Sequence, residues 1–319
     1  MRISVLDQSP IPEGSTNADA LANTLDLARL ADELGYHRYW LAEHHGGPML
    51  AGFAPEVLIP SVAAATSRIR VGSGGVMLPH YSPFKVAEAF TLLAAMYPGR
   101  IDLGLGRASG TDPRTTFALQ RDRSRAMPDD FPEQLAELLG YLDGTLPQDH
   151  PFQSLTNWLP EQRPDVWLLG SSPQSRIWAS EGGLRYAFAD FINPDGAEFA
   201  KPADAVAVWV VCAETEEEAQ RLASSSRMTF SLLRRGRLIQ VPPPEKALRY
   251  LEDFGSSSSA GARRGVIGDP DQVRAGVEEV AHAYGAGEVI AVTITYDHEA
   301  RRRSYELLAE AFALVPSST

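Results

Sequence analysis

Cysteine is almost absent. Cys212 is the only one among 319 residues, so no disulfide can form within the chain. It lies in the apolar run "VAVWVVC" and reads as a buried core thiol. Positive charge is also scarce, with 29 Lys and Arg against 41 Asp and Glu and a net charge of −12. That balance excludes nucleic acid as a partner, because neutralising phosphates takes clustered Lys and Arg. The basic run Arg301-Arg302-Arg303 is too short to change this and is expected to solvate one turn of a helix. Long hydrophobic runs are missing too. No stretch approaches the ~20 apolar residues that span a bilayer, and "MRISVLDQSP" lacks the apolar core of a signal peptide. A soluble cytoplasmic protein that meets no membrane is expected. What the chain does have is apolar bulk, 44% hydrophobic, enough for one large α/β domain or two ordinary ones.

That bulk comes in short blocks. "ISVLD", "YHRYWLA", "RIRVGSGG", "IDLGLG", "VWLLG", "YAFA", "VAVWVVC" and "EVIAVTIT" read as eight buried strands. Helical patterns fall between most of them. "NADALANTLDLARLADELG" spaces its leucines helically and ends on Gly35, suited to a C-cap. "APEVLIPSVAAATS" holds an internal proline and is expected to be kinked or to start late. "SPFKVAEAFTLLAAMYPGR" has Ser82 as cap, Pro83 in its first turn and Pro98-Gly99 as a stop. Thr215 with Glu218 predicts a capping box, and Asp269 with Pro270 starts another helix. The pattern loosens over 107–165, where only "FPEQLAELLGYLDG" reads as helix, and again over 236–265 around "GSSSSAG". Short apolar strands alternating with helices imply a parallel sheet covered on both faces. Eight such units predict a (β/α)8 TIM barrel as one domain over 1–319, with insertions after strand 4 and between the strand-7 helices. A doubly wound open sheet is the alternative.

In such a barrel the site lies at the C-terminal ends of the strands, and the chain's unusual residues collect there. Strand two ends in Glu43-His44-His45, strand three in Ser73-Gly74-Gly75, and strand four in Gly106-Arg107. Strand five ends in Gly170-Ser171-Ser172 and strand six near Asp190-Phe191. "GSSPQS" runs from a strand into a helix opened by Pro173, where free N–H groups and the positive dipole end bind anions. Arg107 can add a bidentate contact. The plainer reading makes Ser172 an N-cap and Arg107 a surface ion-pair partner, and both stay open at this point. "GLGRASG" follows a strand, but Gly104, Gly106 and Gly110 do not have dinucleotide-loop spacing. Metal is not expected: adjacent histidines on an extended segment point opposite ways, and neither HExxH nor a Cys/His cluster occurs. Either one histidine faces the mouth and moves protons near neutral pH, or both are packed structural residues.

Taken together, "YWLAEHH", "RVGSGGVMLPHYSP", "YPGRIDLGLGRASGTD" and "WLLGSS" with "GLRYAFADF" resemble the bacterial-luciferase-like flavin monooxygenases, from "ISVLDQSP" to "GDPDQV". The nearest subgroup is the single-chain one that includes oxygenases of polyketide pathways. The resemblance implies a (β/α)8 barrel using reduced FMN from a separate flavin reductase, or in other branches F420. It places His44 as the catalytic histidine, with Glu43 as a partner that orients it. Ser73-Gly74 matches a dipeptide whose cis bond lies against the flavin ring. Arg107, Gly170, Ser171, Ser172 and Ser175 match the phosphate-binding positions.

The implied reaction inserts one oxygen atom of O2 into a small organic substrate, aromatic polyketides among them, through a C4a-(hydro)peroxyflavin. Gly106 stands where luciferase has a reactive cysteine, and Asp190 near its flavin-flanking tryptophan. Both departures speak against a long-chain aldehyde and light emission. The loose segments 107–165 and 236–265 are expected to close over the ring. Two alternatives stand beside this: an F420-dependent oxidoreductase that transfers hydride, and a non-catalytic flavin-binding protein. A homodimer is expected through the helices after strands two and three.

Overall fold

The computed structural model describes residues 1–107, 112–120, 123–124, 129–254 and 265–315. Its strands are β1 (Arg2–Asp7), β2 (Arg38–Leu41), β3 (Arg70–Met77), β4 (Ile101–Gly106), β5 (Asp165–Gly170), β6 (Arg185–Ala189), β7 (Ala205–Cys212), β8 (Gly265–Gly268) and β9 (Glu288–Val292). Every pairing is parallel. β1 bonds to both β2 and β9, and β7 bonds to β6 and β9. Eight strands, β1 to β7 and β9, therefore close a barrel, and the TIM-barrel expectation is met.

β8 is a ninth strand that pairs only with β7, Gly265 opposite Trp209 through Gly268 opposite Cys212. Trp209 also pairs with Val292, so β8 takes the edge of β7 that β6 uses lower down.

The helices are α1 (Asn17–Leu34), α2 (Pro55–Ala65), α3 (Pro83–Met96), α4 (Pro113–Leu119), α5 (Phe131–Asp143), α6 (Pro173–Glu181), α7 (Ala197–Ala200), α8 (Glu216–Arg234), α9 (Pro244–Phe254), α10 (Pro270–Tyr284) and α11 (His298–Ala311). Their start signals mostly hold. Thr16 and Asp19 form a full capping box on α1, Asp269 and Gln272 form another on α10, and Gly35 ends α1 in the left-handed region at φ 87°. Ser82 precedes α3 without a side-chain cap bond, and Pro60 lies inside α2. The box expected on α8 is half made. Thr215 accepts from the Glu218 amide, but the Glu218 carboxylate turns to Arg221 at 2.7 and 2.8 Å.

The loose segments hold more order than expected. α4 and a 3₁₀ turn (Gln153–Trp158) accompany α5 after β4, and α9 and the first residue of β8 lie within 236–265. "GSSSSAG" itself, 255–261, lies outside the described residues.

The floor of the barrel is a charged layer at the strand starts. Arg38 is fully buried, with Nε donating to Glu288 at 2.6 Å and Nη1 to Asp102 at 2.7 Å. Arg70 and the Trp40 indole N–H also reach Asp102, and Ser4 reaches Glu288. Burial of so many charges is tolerable because each carboxylate meets several donors. The Arg301 to Arg303 run is not one solvated turn. Arg301 is 3% exposed and donates to Asp7 at 2.6 Å and to the Thr293 carbonyl at 2.9 Å. Burial works to raise the Asp7 carboxyl, but Arg301, with the Tyr39 hydroxyl and the Ser9 amide, outweighs it and holds it below the usual range. Cys212 is buried as read, and burial pushes its thiol up to about 12. Among the described residues no helix is long and apolar enough to cross a membrane.

Candidate active site

Residues of all eight barrel strands, β1 to β7 and β9, line a cavity of about 550 Å³ at the C-terminal mouth. Its floor is Leu6, Trp40 and the pair Gly74-Gly75. The peptide between those glycines is cis. This corrects the expected position, Ser73-Gly74, by one residue. The reason is visible in the pairing. Ser73 faces Leu103 and Val76 faces Leu105, so β3 carries one extra residue across the bulge where the glycines sit. A Cβ on Gly75 would stand 2.8 Å from the Gly104 carbonyl, and one on Gly74 would stand 2.6 Å from Leu6 and 3.0 Å from Trp40. Ser73 lies outside the cavity lining. It is fully buried and clasps β4, donating to the Gly104 carbonyl at 2.9 Å and accepting from the Gly104 amide at 3.0 Å.

One wall brings together the residues read as anion binders. Arg107, Gly170, Ser171, Ser172 and Ser175 all line the cavity, where β5 runs into α6. Ser172 precedes α6 without a side-chain cap bond, so the first-turn amides are not closed off by their own cap. Asn193 donates to the Ser171 carbonyl at 2.9 Å and fixes the loop. The Ser175 hydroxyl is engaged within the protein, donating to the Ser172 carbonyl at 2.7 Å and meeting the Tyr186 hydroxyl at 3.0 Å. It shapes the turn. Arg107 stands at the exposed rim, its guanidinium 5.5 Å from the centre of the Trp178 ring on α6.

His44 faces this cavity from the β2 end, across from the serines. Glu43, read as its partner, is bonded to His45. The fully buried Glu43 carboxylate accepts from His45 Nε2 at 2.8 Å, from the Met77 amide at 2.9 Å and from the Tyr81 hydroxyl at 3.0 Å. Successive side chains on an extended segment alternate, so a residue on the Glu43 side is two positions away, at His45. Glu43 thus ties the end of β2 to the end of β3. Asp190 is fully buried and accepts from Tyr284 at 2.9 Å, so Ala189 and Phe191 face the cavity in its place. Among the described residues no cluster of three His, Cys, Asp or Glu is placed to hold a metal.

The glycine floor with no side chains in the way, the apolar surround, and the helix start flanked by serines and an arginine fit a planar ring carrying a phosphate-ended chain. The family model for luciferase-like monooxygenases matches residues 1–287. The chain belongs to this family.

Several proteins match it nearly end to end. YwcH of Bacillus subtilis (strain 168) is 44% identical, covering 98% of this chain and 99% of that protein. The N-acetyl-S-alkylcysteine monooxygenase of the same organism is 38% identical over 98% of both chains. The crystal structure of apo-MsnO8 shares 41% identity at a TM-score of 0.89, covering 99% of this chain and 98% of that one.

Several lining residues escaped the sequence reading. Gln8 follows β1, and the strand-end rule that found the others would have found it. Gly75 was passed over for its neighbour. Met77 and Trp178 carry no sequence signal of their own.

Proposed function

We propose that this luciferase-like monooxygenase uses reduced FMN, delivered by a separate flavin reductase, to insert one oxygen atom of O2 into a small organic substrate. The supporting observation is the single cavity that joins a side-chain-free floor at Gly74-Gly75 to the helix start at Ser171-Ser172, with His44 at its edge. FMN bound there would supply the two electrons that, with O2, put one oxygen atom into the substrate and release the other as water.

The residues divide the remaining work. Arg107, Ser171, Ser172 and the first amides of α6 hold the phosphate. Gly74 and Gly75, with Leu6 and Trp40, would hold the ring at the floor of the cavity. Phe188, Phe191 and Ile290 line the cavity with apolar surface and keep water from the reacting atoms. His44 moves the proton between ring edge and substrate. Glu43 holds the β2 and β3 ends at fixed spacing.

The relative named for N-acetyl-S-alkylcysteine makes alkyl thioethers a substrate class to test beside aromatic polyketides. A second copy of the chain docks on α2 and α3, whose outward Val57, Leu92 and Met96 are 66%, 56% and 53% exposed.

The test supplies reduced FMN, O2 and a substrate panel, and reads products by mass. A gain of one oxygen atom is expected, lost in His44→Ala while FMN affinity stays within about twofold. Binding of F420 but not FMN, or a product changed by two hydrogens and no oxygen, would replace oxygenation with hydride transfer.

A further inference from the structure

Gln8 lines the first cavity and is only 6% exposed, yet its side-chain amide bonds to no protein group among the described residues. Polar groups buried to that degree are nearly always bonded. A second cavity of about 630 Å³ opens beside the first. Met49 and Leu50 after β2 wall it, with Phe230, Leu233 and Leu238 around the end of α8. Gln8, His44, Phe191 and Ile192 line both cavities, so Gln8 and His44 are the polar residues at the junction.

The polar lining of the first cavity falls into two groups. Arg107, Ser171, Ser172 and Ser175 gather where β5 runs into α6. Gln8 and His44 stand at the ends of β1 and β2. β1 and β5 are four strands apart in a ring of eight, so the two groups face each other across the barrel. Leu6, Trp40, Gly74 and Gly75 lie between them. A cavity polar at both ends and apolar between suits a ligand with a phosphate at one end and a polar ring edge at the other.

From this placement we infer that Gln8 recognises the cofactor ring, its amide pairing with the N–H and C=O edge of the pyrimidine half beside His44. The inference rests on the flavin reading of the cavity. A carboxamide presents a donor and an acceptor side by side, and an N–H next to a carbonyl complements both in two parallel hydrogen bonds. The flavin ring has such an edge at N3–H, between two carbonyls, whereas its dimethylbenzene edge has none. Gln8 therefore selects which end of the ring lies at His44.

The backbone around Gln8 is set before any ligand arrives. Side chains alternate along β1, so Leu6 and Gln8 point into the barrel and Asp7 points outward. Asp7 accepts from Arg301 at 2.6 Å, from the Tyr39 hydroxyl at 2.6 Å and from the Ser9 amide at 2.7 Å. Ser9 takes a φ of 50°, in the left-handed region that a side chain disfavours. It is clasped there, its hydroxyl 2.8 Å from that of Thr24 and its carbonyl accepting from the Ala51 amide at 2.8 Å. Gln8 sits between these two pinned neighbours, and its backbone has little freedom left to lose on pairing.

The experiment uses the full chain and measures dissociation constants for FMN, riboflavin and N3-methylriboflavin by flavin fluorescence. The parental chain is compared with Gln8→Met, Gln8→Ala and Arg107→Met. Methionine keeps the length of glutamine and lacks the amide. The parental chain should prefer riboflavin to its N3-methyl form by about tenfold or more. Gln8→Met should weaken FMN and riboflavin alike by about tenfold and shrink the N3-methyl preference to about twofold or less. Arg107→Met should do the opposite, lowering FMN relative to riboflavin and leaving the N3-methyl preference intact. A preference that survives in both Gln8 variants, or parental riboflavin affinity in both, overturns the inference. Absence of FMN and riboflavin binding to the parental chain is the distinct result that overturns the flavin reading, and the assignment of Gln8 falls with it.

Discussion

Glu43→Ala gives the sharpest test of how the mouth is held. The carboxylate accepts three hydrogen bonds, from His45, the Met77 amide and Tyr81. All three bonds are part-buried, so water can replace some of what is lost. Leaving a fully buried donor unsatisfied costs about 1–3 kcal/mol, and three partly solvated donors fall in the lower part of that range, about 3–5 kcal/mol together. Relief from burying the carboxylate offsets part of this, and a net loss of about 3 kcal/mol is expected.

Met77 also ends the strand that carries Gly74-Gly75, so the same substitution should loosen the floor under the ring. Urea unfolding and FMN titration check the two effects separately. Tyr81→Phe alone should cost about 1 kcal/mol, and less than that once Glu43 is already Ala, because the two share one bond. If Glu43→Ala unfolds at the parental urea midpoint and binds FMN as tightly as the parent, the carboxylate does not hold the strand ends together and the reasoning is refuted.

A methyl on Gly170 would collide with the Ser175 hydroxyl and Cβ, so Gly170→Ala should displace the α6 turn. FMN affinity should drop by about tenfold or more and riboflavin affinity by much less, and a parallel loss of both would count against a phosphate site. Arg301→Met strands the buried Asp7 carboxylate and should cost about 3–5 kcal/mol in urea unfolding, recovered in part by adding Asp7→Asn. Burial lifts the Glu56 carboxyl above its ordinary value; its own amide opposes the rise and the Glu43 carboxylate adds to it. The folded chain then holds this proton more tightly than the unfolded chain, so stability is full at low pH and declines as pH climbs through the folded value. Glu56→Gln should leave the melting temperature near pH 4 unchanged and raise it near pH 8, and an equal change at both would contradict the assignment.

The barrel was legible because its eight strands are short, largely apolar and mostly buried runs bounded by turn residues. β8 escaped because Gly-Val-Ile-Gly is too short and too glycine-rich to stand out. α9 escaped because Pro242-Pro243-Pro244 reads as a breaker, although Pro244 is the helix's first residue. The gathering of Arg107, Gly170, Ser171, Ser172 and Ser175 on one wall was legible through the chemistry of a helix start, but not the inward turn of Ser175, which depends on Tyr186 from the next strand. Glu43 was singled out as a carboxylate at a strand end, but its bond to His45 was not foreseen. Which histidine it meets depends on strand alternation and on where β3 exits. The floor charges Arg38, Asp102 and Glu288 carry a signal that was there to use, one charged residue at the start of an otherwise apolar strand, repeated at the same level of three strands. The second cavity has no local motif, since its walls come from three distant segments.

β8 bears on how the enzyme could change its substrate. The chain leaves the barrel wall at Cys212 and re-enters opposite Trp209, three residues back on the same strand, so both ends of the excursion over 213–264 attach to β7. That excursion supplies Phe230, Leu233 and Leu238, whereas Gly74-Gly75 and Ser171-Ser172 lie at the ends of β3 and β5. A segment whose two ends attach to one strand can be exchanged, provided the core packing of Ala219, Leu222 and Ala223 with Trp209 and Val211, and the contacts of Val241 with Ile11 and Glu13 and of Lys246 with Glu13, are kept. The 213–264 segment is then the natural unit to transplant between barrels of this kind.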